Sequence, residues 1–372
     1  MHSRPFALLS TTCLIVAFNL LGQPSTEAAE NANAAQWVLD LGGRIETNRD
    51  GEVVIADLQR TFVVDEHLDQ LLALPALREI HLGYTKITDL GLERLIPLEN
   101  VKVLNLRYAE NITDLGIAHL KHWRSLEQLD ACGTKVTSSL FQHLTGMSRL
   151  RSLDVGFSRV NDDFFEQLAD LENLQHLGFG GNKMSGAAFP LLKLIPSLTS
   201  LDISGEQRTD SGLWSVAASD FNIDEIAQLK QLKHLDIANA LVSDQGVAKL
   251  AGLQQLESLN LSNTRVSAKG LEALSQLPQL EQLKLWQCSG IGDDAVPVLA
   301  KMPSLKVLQL QETAITADGV SRLAMLSQLE QLHLGGVDVS DEVTESLQKQ
   351  LPECRITHWS KPEIEYPERR RR

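Results

Sequence analysis

The chain has 372 residues, with 48 acidic and 34 basic side chains, a net charge of −14, 43% hydrophobic residues and only 5% aromatic ones. This balance excludes a disordered chain, 24 glycines exclude a collagen, and the net acidity excludes duplex nucleic acid as a partner for the body of the chain, because phosphate binding needs a basic face. Leucine alone supplies 64 residues, about 17% of the chain, a bias that repeated units produce and a mixed enzyme core does not.

The first 22 residues, MHSRPFALLSTTCLIVAFNLLG, place Arg4 ahead of an apolar stretch broken by Ser10, Thr11, Thr12 and Asn19. That stretch is too short and too interrupted to span a bilayer, and the small residues of PSTEAA follow it. Residues 1–28 are therefore expected to be a signal peptide cleaved near Ala28, with Ala34 as a second candidate. The mature chain is expected to be exported, to the periplasm, the cell envelope or the medium. No later stretch approaches 18 apolar residues, so no membrane span is expected in it. Residues 29–51 are expected to form an N-terminal cap, with a short helix containing Trp37, a strand, and a hairpin turn at 48–51 before a second strand.

From residue 52 a pattern recurs: LREIHLGYTKITDLGLERLIP from Leu77, LESLNLSNTRVSAKGLEALSQLP from Leu256, LKVLQLQETAITADGVSRLAMLS from Leu305. Repeats begin at Val53, Leu77, Val101, Leu126, Leu150, Leu174, Leu198, Leu232, Leu256, Leu280, Leu305 and Leu329, with a degenerate last turn at Cys354. Steps are 24 or 25 residues except for one of 34, at 198–231. The wording L-x-x-L-x-L, then a polar turn residue and a helical segment, resembles the leucine-rich repeat. The half T-x-[IV]-[TS]-D-x-G-L-x-x-L resembles its cysteine-containing subclass, found in F-box-associated proteins and in many exported bacterial proteins. The resemblance implies an α/β fold for residues 52–351: a right-handed leucine-rich repeat solenoid, or horseshoe, of about twelve repeats, with a parallel concave β-sheet and helices on the convex side.

Strand alternation turns the first, fourth and sixth positions of each repeat inward and the third, fifth and seventh outward. Thr85, Thr134, Thr264 and Thr313 end strands, where a hydroxyl can satisfy turn backbone. Thr88, Thr113, Ser243 and Ser340, each followed by Asp, read as helix N-caps with an acid in the first turn. Residues 352–360 are expected to add a capping strand, and 361–372, ending in Arg369 to Arg372, a disordered tail. Cys132, Cys288 and Cys354 lie repeats apart, too far for intramolecular disulfides.

Catalytic motifs are missing. GFGGN at 178–182 spans a strand and its turn rather than a phosphate loop, and His119 and His122 lack a third ligand, so no cofactor, metal or enzyme activity is expected. The candidate binding residues lie on the concave face. In the fifth column Asp130 and Asp154 are neighbours, as are Asp202 and Asp236, and such pairs raise each other's pKa or recruit a cation. Their close spacing also resembles that of a retaining glycosidase, though the repeat imposes it on every adjacent pair. His176 and His234 sit two residues earlier, within reach of these carboxylates. Tyr84, Tyr108 and Phe157 follow strands along one edge, with Trp286 further on, as anchors of an interface would. Gly156, Gly178, Gly180, Gly181 and Gly205 are expected to leave room at the centre. The extra residues of the long repeat are placed in GLWSVAASDFNIDEIAQL, on the outer or loop side around Trp214 and Phe221.

Two functions remain open. One is a noncatalytic, monomeric exported protein whose concave face recognises a protein or carbohydrate. The other takes the F-box resemblance literally: a ubiquitin-ligase substrate receptor or an effector imitating one.

Overall fold

The computed structural model describes residues 26–210 and 212–359. Most of the expected signal peptide and the expected tail lie outside them. A 15-residue helix, α1 (Thr26–Asp40), leads to an antiparallel pair, β1 (Arg44–Thr47) and β2 (Val53–Asp57). From there one short strand per repeat pairs parallel with the next: β3 (Glu79–His81), β4 (Val103–Asn105), β5 (Gln128–Asp130), β6 (Ser152–Asp154), β7 (His176–Gly178) and β8 (Ser200–Asp202). A separate hairpin follows, β9 (Glu206–Thr209) and β10 (Gly212–Ser215). The ladder then resumes with β11 (His234–Asp236), β12 (Ser258–Asn260), β13 (Gln282–Lys284), β14 (Val307–Gln309), β15 (Gln331–His333) and β16 (Arg355–Thr357), giving one 14-stranded sheet. The return segments are short pieces of α-helix, as at Asp89–Arg94 and Asp244–Lys249, or of 3-10 helix, as at Phe165–Asp170 and Phe189–Leu194. This is the leucine-rich repeat solenoid.

Its core follows from strand alternation. First-position residues from Val53 to Cys354 are buried throughout, as are Ile80, Leu104 and Leu129 at the fourth position and Leu82, Leu106 and Val155 at the sixth. Each buried leucine contributes on the order of 1.5–3 kcal/mol before chain entropy is subtracted. In the central repeats Phe141, Phe165 and Phe179 replace leucine and stack edge to face, with centroids 5.2 and 5.3 Å apart. The strand-end hydroxyls serve the backbone: Thr85 Oγ1 donates to Leu82 O (2.6 Å), Thr134 to Ala131 O (2.7 Å), Thr264 to Leu261 O (2.6 Å) and Thr313 to Leu310 O (2.7 Å). At the same repeat position Asn182 Nδ2 donates to Phe179 O (2.8 Å), and the buried Cys288 donates its thiol to Leu261 O (3.0 Å). Cys132, Cys288 and Cys354 are free and buried.

On the helical side the acid of one repeat reaches the next. Asp65 accepts from Thr88 N (2.8 Å) and Thr88 Oγ1 (2.6 Å), while Thr88 Oγ1 accepts from Leu90 N (3.3 Å) to cap its own helix. The same pair of bonds links Asp89 to Thr113, Asp114 to Thr137, Asp220 to Ser243, Asp244 to Ser267 and Asp293 to Thr316. The glycine of T-D-x-G belongs to this device. A Cβ on Gly91 would stand 2.5 Å from Asp65 Oδ1, and Gly116, Gly246, Gly270 and Gly319 face Asp89, Asp220, Asp244 and Asp293 in the same way. The acid expected to serve the first turn of its own helix therefore also fastens the following repeat.

Two outcomes follow from these links. Asp89→Ala is expected to lower unfolding free energy by about 0.5–2 kcal/mol, the range for a lost cap, measured by urea titration. For Asp220, burial raises the pKa but the Ser243 hydroxyl and N–H, the Gly246 N–H and Lys249 more than offset it, so the carboxyl is held low; Asp293 is held low first by the Thr316 hydroxyl, then by its N–H. A carboxyl depressed in the folded state adds stability above its unfolded pKa, near ~3.9, and that stability disappears as pH falls through the lower folded value. Circular-dichroism melts are expected to show the midpoint falling below about pH 4, with a shallower acid limb in Asp293→Asn.

Candidate functional site

Parallel pairing lines up one concave column, in which Asp57, His81, Asn105, Asp130, Asp154, Gly178, Asp202, Asp236, Asn260, Lys284, Gln309 and His333 are successive register partners. The Asp and Asn residues share a backbone task. Oδ1 accepts from the N–H two residues on: Asp57 from Gln59 (3.0 Å), Asn105 from Arg107 (2.9 Å), Asp130 from Cys132 (3.1 Å), Asp154 from Gly156 (2.9 Å), Asp202 from Ser204 (2.9 Å), Asp236 from Ala238 (3.1 Å) and Asn260 from Ser262 (3.0 Å). Such a local side-chain bond ends the strand. What remains for chemistry is the second oxygen of each carboxylate.

Between Asp130 and Asp154 that oxygen is taken by Arg107, from the seventh position of the preceding repeat. Its Nε donates to Asp130 Oδ2 (2.7 Å), one terminal nitrogen to Asp154 Oδ2 (2.5 Å) and the other to Cys132 Sγ (3.2 Å). The pair has recruited a cation from within the chain, and both oxygens of each carboxylate are engaged. Burial lowers the pKa of Arg107, but the charges around it, Asp130 foremost, raise it overall. Burial pushes Asp154 up, with Asp130 adding to it, against the Gly156 N–H and Arg107. Burial and the charge of Asp154 carry the Cys132 thiol up to about 12. Asp130, Cys132 and Asp154 are the one group among the described residues with metal-ligand spacing, and the guanidinium contacts all three where a metal ion would sit. Strand register could have placed Arg107 beside Asp130; its reach to Asp154, two strands away, is a matter of side-chain conformation.

Asp202 and Asp236 are paired differently. Asp202 Oδ1 also accepts from the Ser204 hydroxyl (2.6 Å), and Asp236 Oδ2 accepts from Asn260 Nδ2 (2.8 Å). Burial, then the Asp202 charge, raises the pKa of Asp236. The histidines do not join these acids. His176 Nδ1 meets Ser200 Oγ at 2.9 Å and His234 is exposed, with no ion pair from either to an aspartate among the described residues. His176 thus reaches sideways to the third position of the next strand, not down to the fifth.

The aromatic edge is more ordered than spacing suggests. Tyr84, Tyr108 and Phe157 have φ of 58°, 55° and 51°, in the left-handed region that Gly133, Gly181 and Gly205 or Asn239 and Asn263 occupy in other repeats. The tyrosine rings stack with centroids 5.1 Å apart, and the Arg60 guanidinium lies 4.8 Å from the Tyr84 centroid. Tyr84 is 42% exposed. The central glycines do not leave empty room: the Tyr108 ring lies on Gly133, and the Phe157 ring lies on Gly181 and Gly205, where a Cβ would stand 2.7 and 2.6 Å from ring carbons.

The long repeat also departs from expectation. Its extra residues form the β9–β10 hairpin directly after β8, on the loop side and starting ahead of the expected segment, and Gln207 Nε2 donates to Ser158 O (3.1 Å) to hold it against the strand-end loops. Trp214 and Phe157 line a cavity of about 470 Å³ there, with Lys135, Arg159, Glu110 and Asp210, while Phe221 stands apart, 94% exposed. A second cavity, about 450 Å³, lies over β11–β14 between Trp286 and Trp359. Trp286 Nε1 donates to Glu312 Oε1 (3.3 Å). Trp359 lies past the last repeat start, where register from sequence had run out.

Arg107→Met leaves two half-buried carboxylates facing each other. Urea titrations are expected to show a loss of about 1–3 kcal/mol at pH 7.5, less than for a fully buried pair, shrinking as pH falls and Asp154, whose pKa burial raises, takes up its proton. Adding Asp130→Asn should restore part of it. Cys132 should resist alkylation at pH 8 in the folded chain and react on unfolding.

In sequence, a leucine-rich repeat family model matches residues 253–275 and 301–324. No curated protein matches the chain. Among solved structures, an internalin from Listeria monocytogenes is similar with TM-score 0.52 and 20% identity, over 88% of this chain and 94% of that one. The structure of the Rad7 and Elc1 complex in yeast is similar with TM-score 0.58 and 17% identity, over 89% and 87%. At these identities the likeness is one of fold. Two repeats thus match the leucine-rich repeat family model, and the register and continuous parallel sheet give the whole described chain the leucine-rich repeat fold.

Proposed function

We propose that this is an exported, noncatalytic leucine-rich repeat protein that holds a protein partner along its concave face and the adjoining strand-end rim. One observation carries the reading: Arg60, Tyr84, Tyr108 and Phe157 put long or aromatic side chains at left-handed backbone positions that Gly133, Gly181, Gly205, Gly336, Asn239 and Asn263 fill elsewhere in the same ladder, with Gln287 and Glu312 the other exceptions. A bulky residue there costs on the order of 1–2 kcal/mol, and strain of this kind concentrates at binding sites. Arg and Tyr are also the side chains that dominate interface energetics, and here they are preorganised in one stack before a partner arrives.

Export rests on the apolar N-terminal segment and is compatible with the cap. Cleavage at Ala28 would keep Ala34 and Val38, the residues by which α1 enters the core, whereas cleavage at Ala34 would remove Ala34. The aspartate pairs, each bound to backbone and one of them also to Arg107, position the strand ends of this surface.

Fractionation of cells expressing the full chain, with N-terminal sequencing, is expected to find a mature form beginning near residue 29 outside the cytosol. An uncleaved cytosolic chain would refute export. Crosslinking capture with the mature chain should recover a protein partner whose yield falls at least roughly tenfold in Tyr84→Ala/Tyr108→Ala, as for two hot-spot side chains. Equal recovery would remove the aromatic stack from the interface.

A further inference from the structure

The concave column changes character at its C-terminal end. From Asp57 to Asn260 each Asp or Asn spends an oxygen on its own strand-end N–H, and Arg107, Ser204 and Asn260 engage further ones. At β13 and β14 the column switches to Lys284 and Gln309, and Gln311 follows at the seventh position. None of these three side chains makes a hydrogen bond or ion pair among the described residues, and Gln311 Oε1 is buried with no donor at all. Buried acceptors without partners are rare, because leaving one unpaired costs on the order of 1–3 kcal/mol. All three line the cavity of about 450 Å³ between Trp286 and Trp359, which are 42% and 53% exposed. That volume is in the usual range for small-ligand sites, ~300–1,000 Å³.

We propose that this cavity binds a neutral saccharide. Two exposed indoles offer flat apolar faces for the C–H face of a sugar ring. Amide side chains, which both donate and accept, match hydroxyl groups, which also do both. Gln311 Oε1 accepts a hydrogen bond from a hydroxyl, and Lys284 and Gln309 supply donors. The lining charges cancel, Lys284 against Glu312, so the site does not select a phosphate or a polyanion. Aliphatic side chains are nearly absent from the lining, Ala238 apart, which disfavours a lipid or an apolar peptide side chain. The site adds a second ligand class to the protein interface proposed above and does not share its aromatic stack.

The test is a titration of the full mature chain with a panel of neutral oligosaccharides built from glucose, galactose, mannose and N-acetylglucosamine. Tryptophan fluorescence and calorimetry provide the readouts, with a sulfated oligosaccharide and an unrelated peptide as controls. Saturable binding of at least one neutral sugar is expected, weakened roughly tenfold or more by Trp286→Ala and by Gln311→Leu and unchanged by Tyr84→Ala/Tyr108→Ala. Gln311→Leu removes only an unpaired acceptor, so it should fold as well as the parent, checked by its melt. The proposal is overturned if no neutral sugar binds, if the peptide or the sulfated sugar binds instead, or if binding survives both cavity variants. Loss of partner capture with sugar binding intact would sink the protein-interface reading alone.

Discussion

Parallel pairing of one three-residue strand per repeat, with neighbours about 4.8 Å apart, is the constraint on which everything else in this molecule depends. It turns Leu77, Ile80 and Leu82 and their equivalents into a continuous core, because a one-residue slip would carry every leucine to the solvent face. It also stacks equivalent side chains into columns, so a polar group placed once is placed again one strand away. The Asp-to-Thr links use that translation on the helical side. The acid at the start of one helix is within reach of the cap of the next, and the next helix must carry glycine to admit it. Stability is consequently shared between neighbours, as expected of a solenoid.

The same translation explains why the aspartate ladder misleads. Adjacent carboxylates at strand spacing look like a catalytic or metal site, yet each has a local reason to exist, since its Oδ1 closes the strand on the N–H two residues later. Arg107 then neutralises one pair from inside the chain. Residues that depart from a repeat's local duty are better guides to binding than residues that repeat. Tyr84, Tyr108 and Phe157 sit where the backbone favours glycine, and Lys284 and Gln309 abandon the strand-end bond. Both proposed surfaces are built from such departures.

Much of this was readable before any coordinates. The starts from Val53 to Leu329, the partners Asp130 with Asp154 and Asp202 with Asp236, and the strand-end threonines all follow from a fixed period and strand alternation. His176 and His234 lie within strand register of the acids, yet His176 turns to Ser200 and His234 is exposed, which register alone does not decide. The extra residues of the long repeat were expected within GLWSVAASDFNIDEIAQL, whereas the hairpin starts before that segment, at Glu206. Only pairing of Glu206–Thr209 with Gly212–Ser215 shows that the chain first turns back over the strand ends.

By itself the sequence determined the repeat, the inward leucines and the order of the concave columns, since these depend on local periodicity and on geometry common to every strand. The tertiary structure decided which charges meet and which stay free. Arg107 reaches across two strands to Asp154, the Phe157 ring fills the space of Gly181 and Gly205, and Trp359 closes a cavity with Trp286 from one strand beyond the last full repeat. Such contacts rest on side-chain length, direction and competition for space between repeats, which no single repeat encodes.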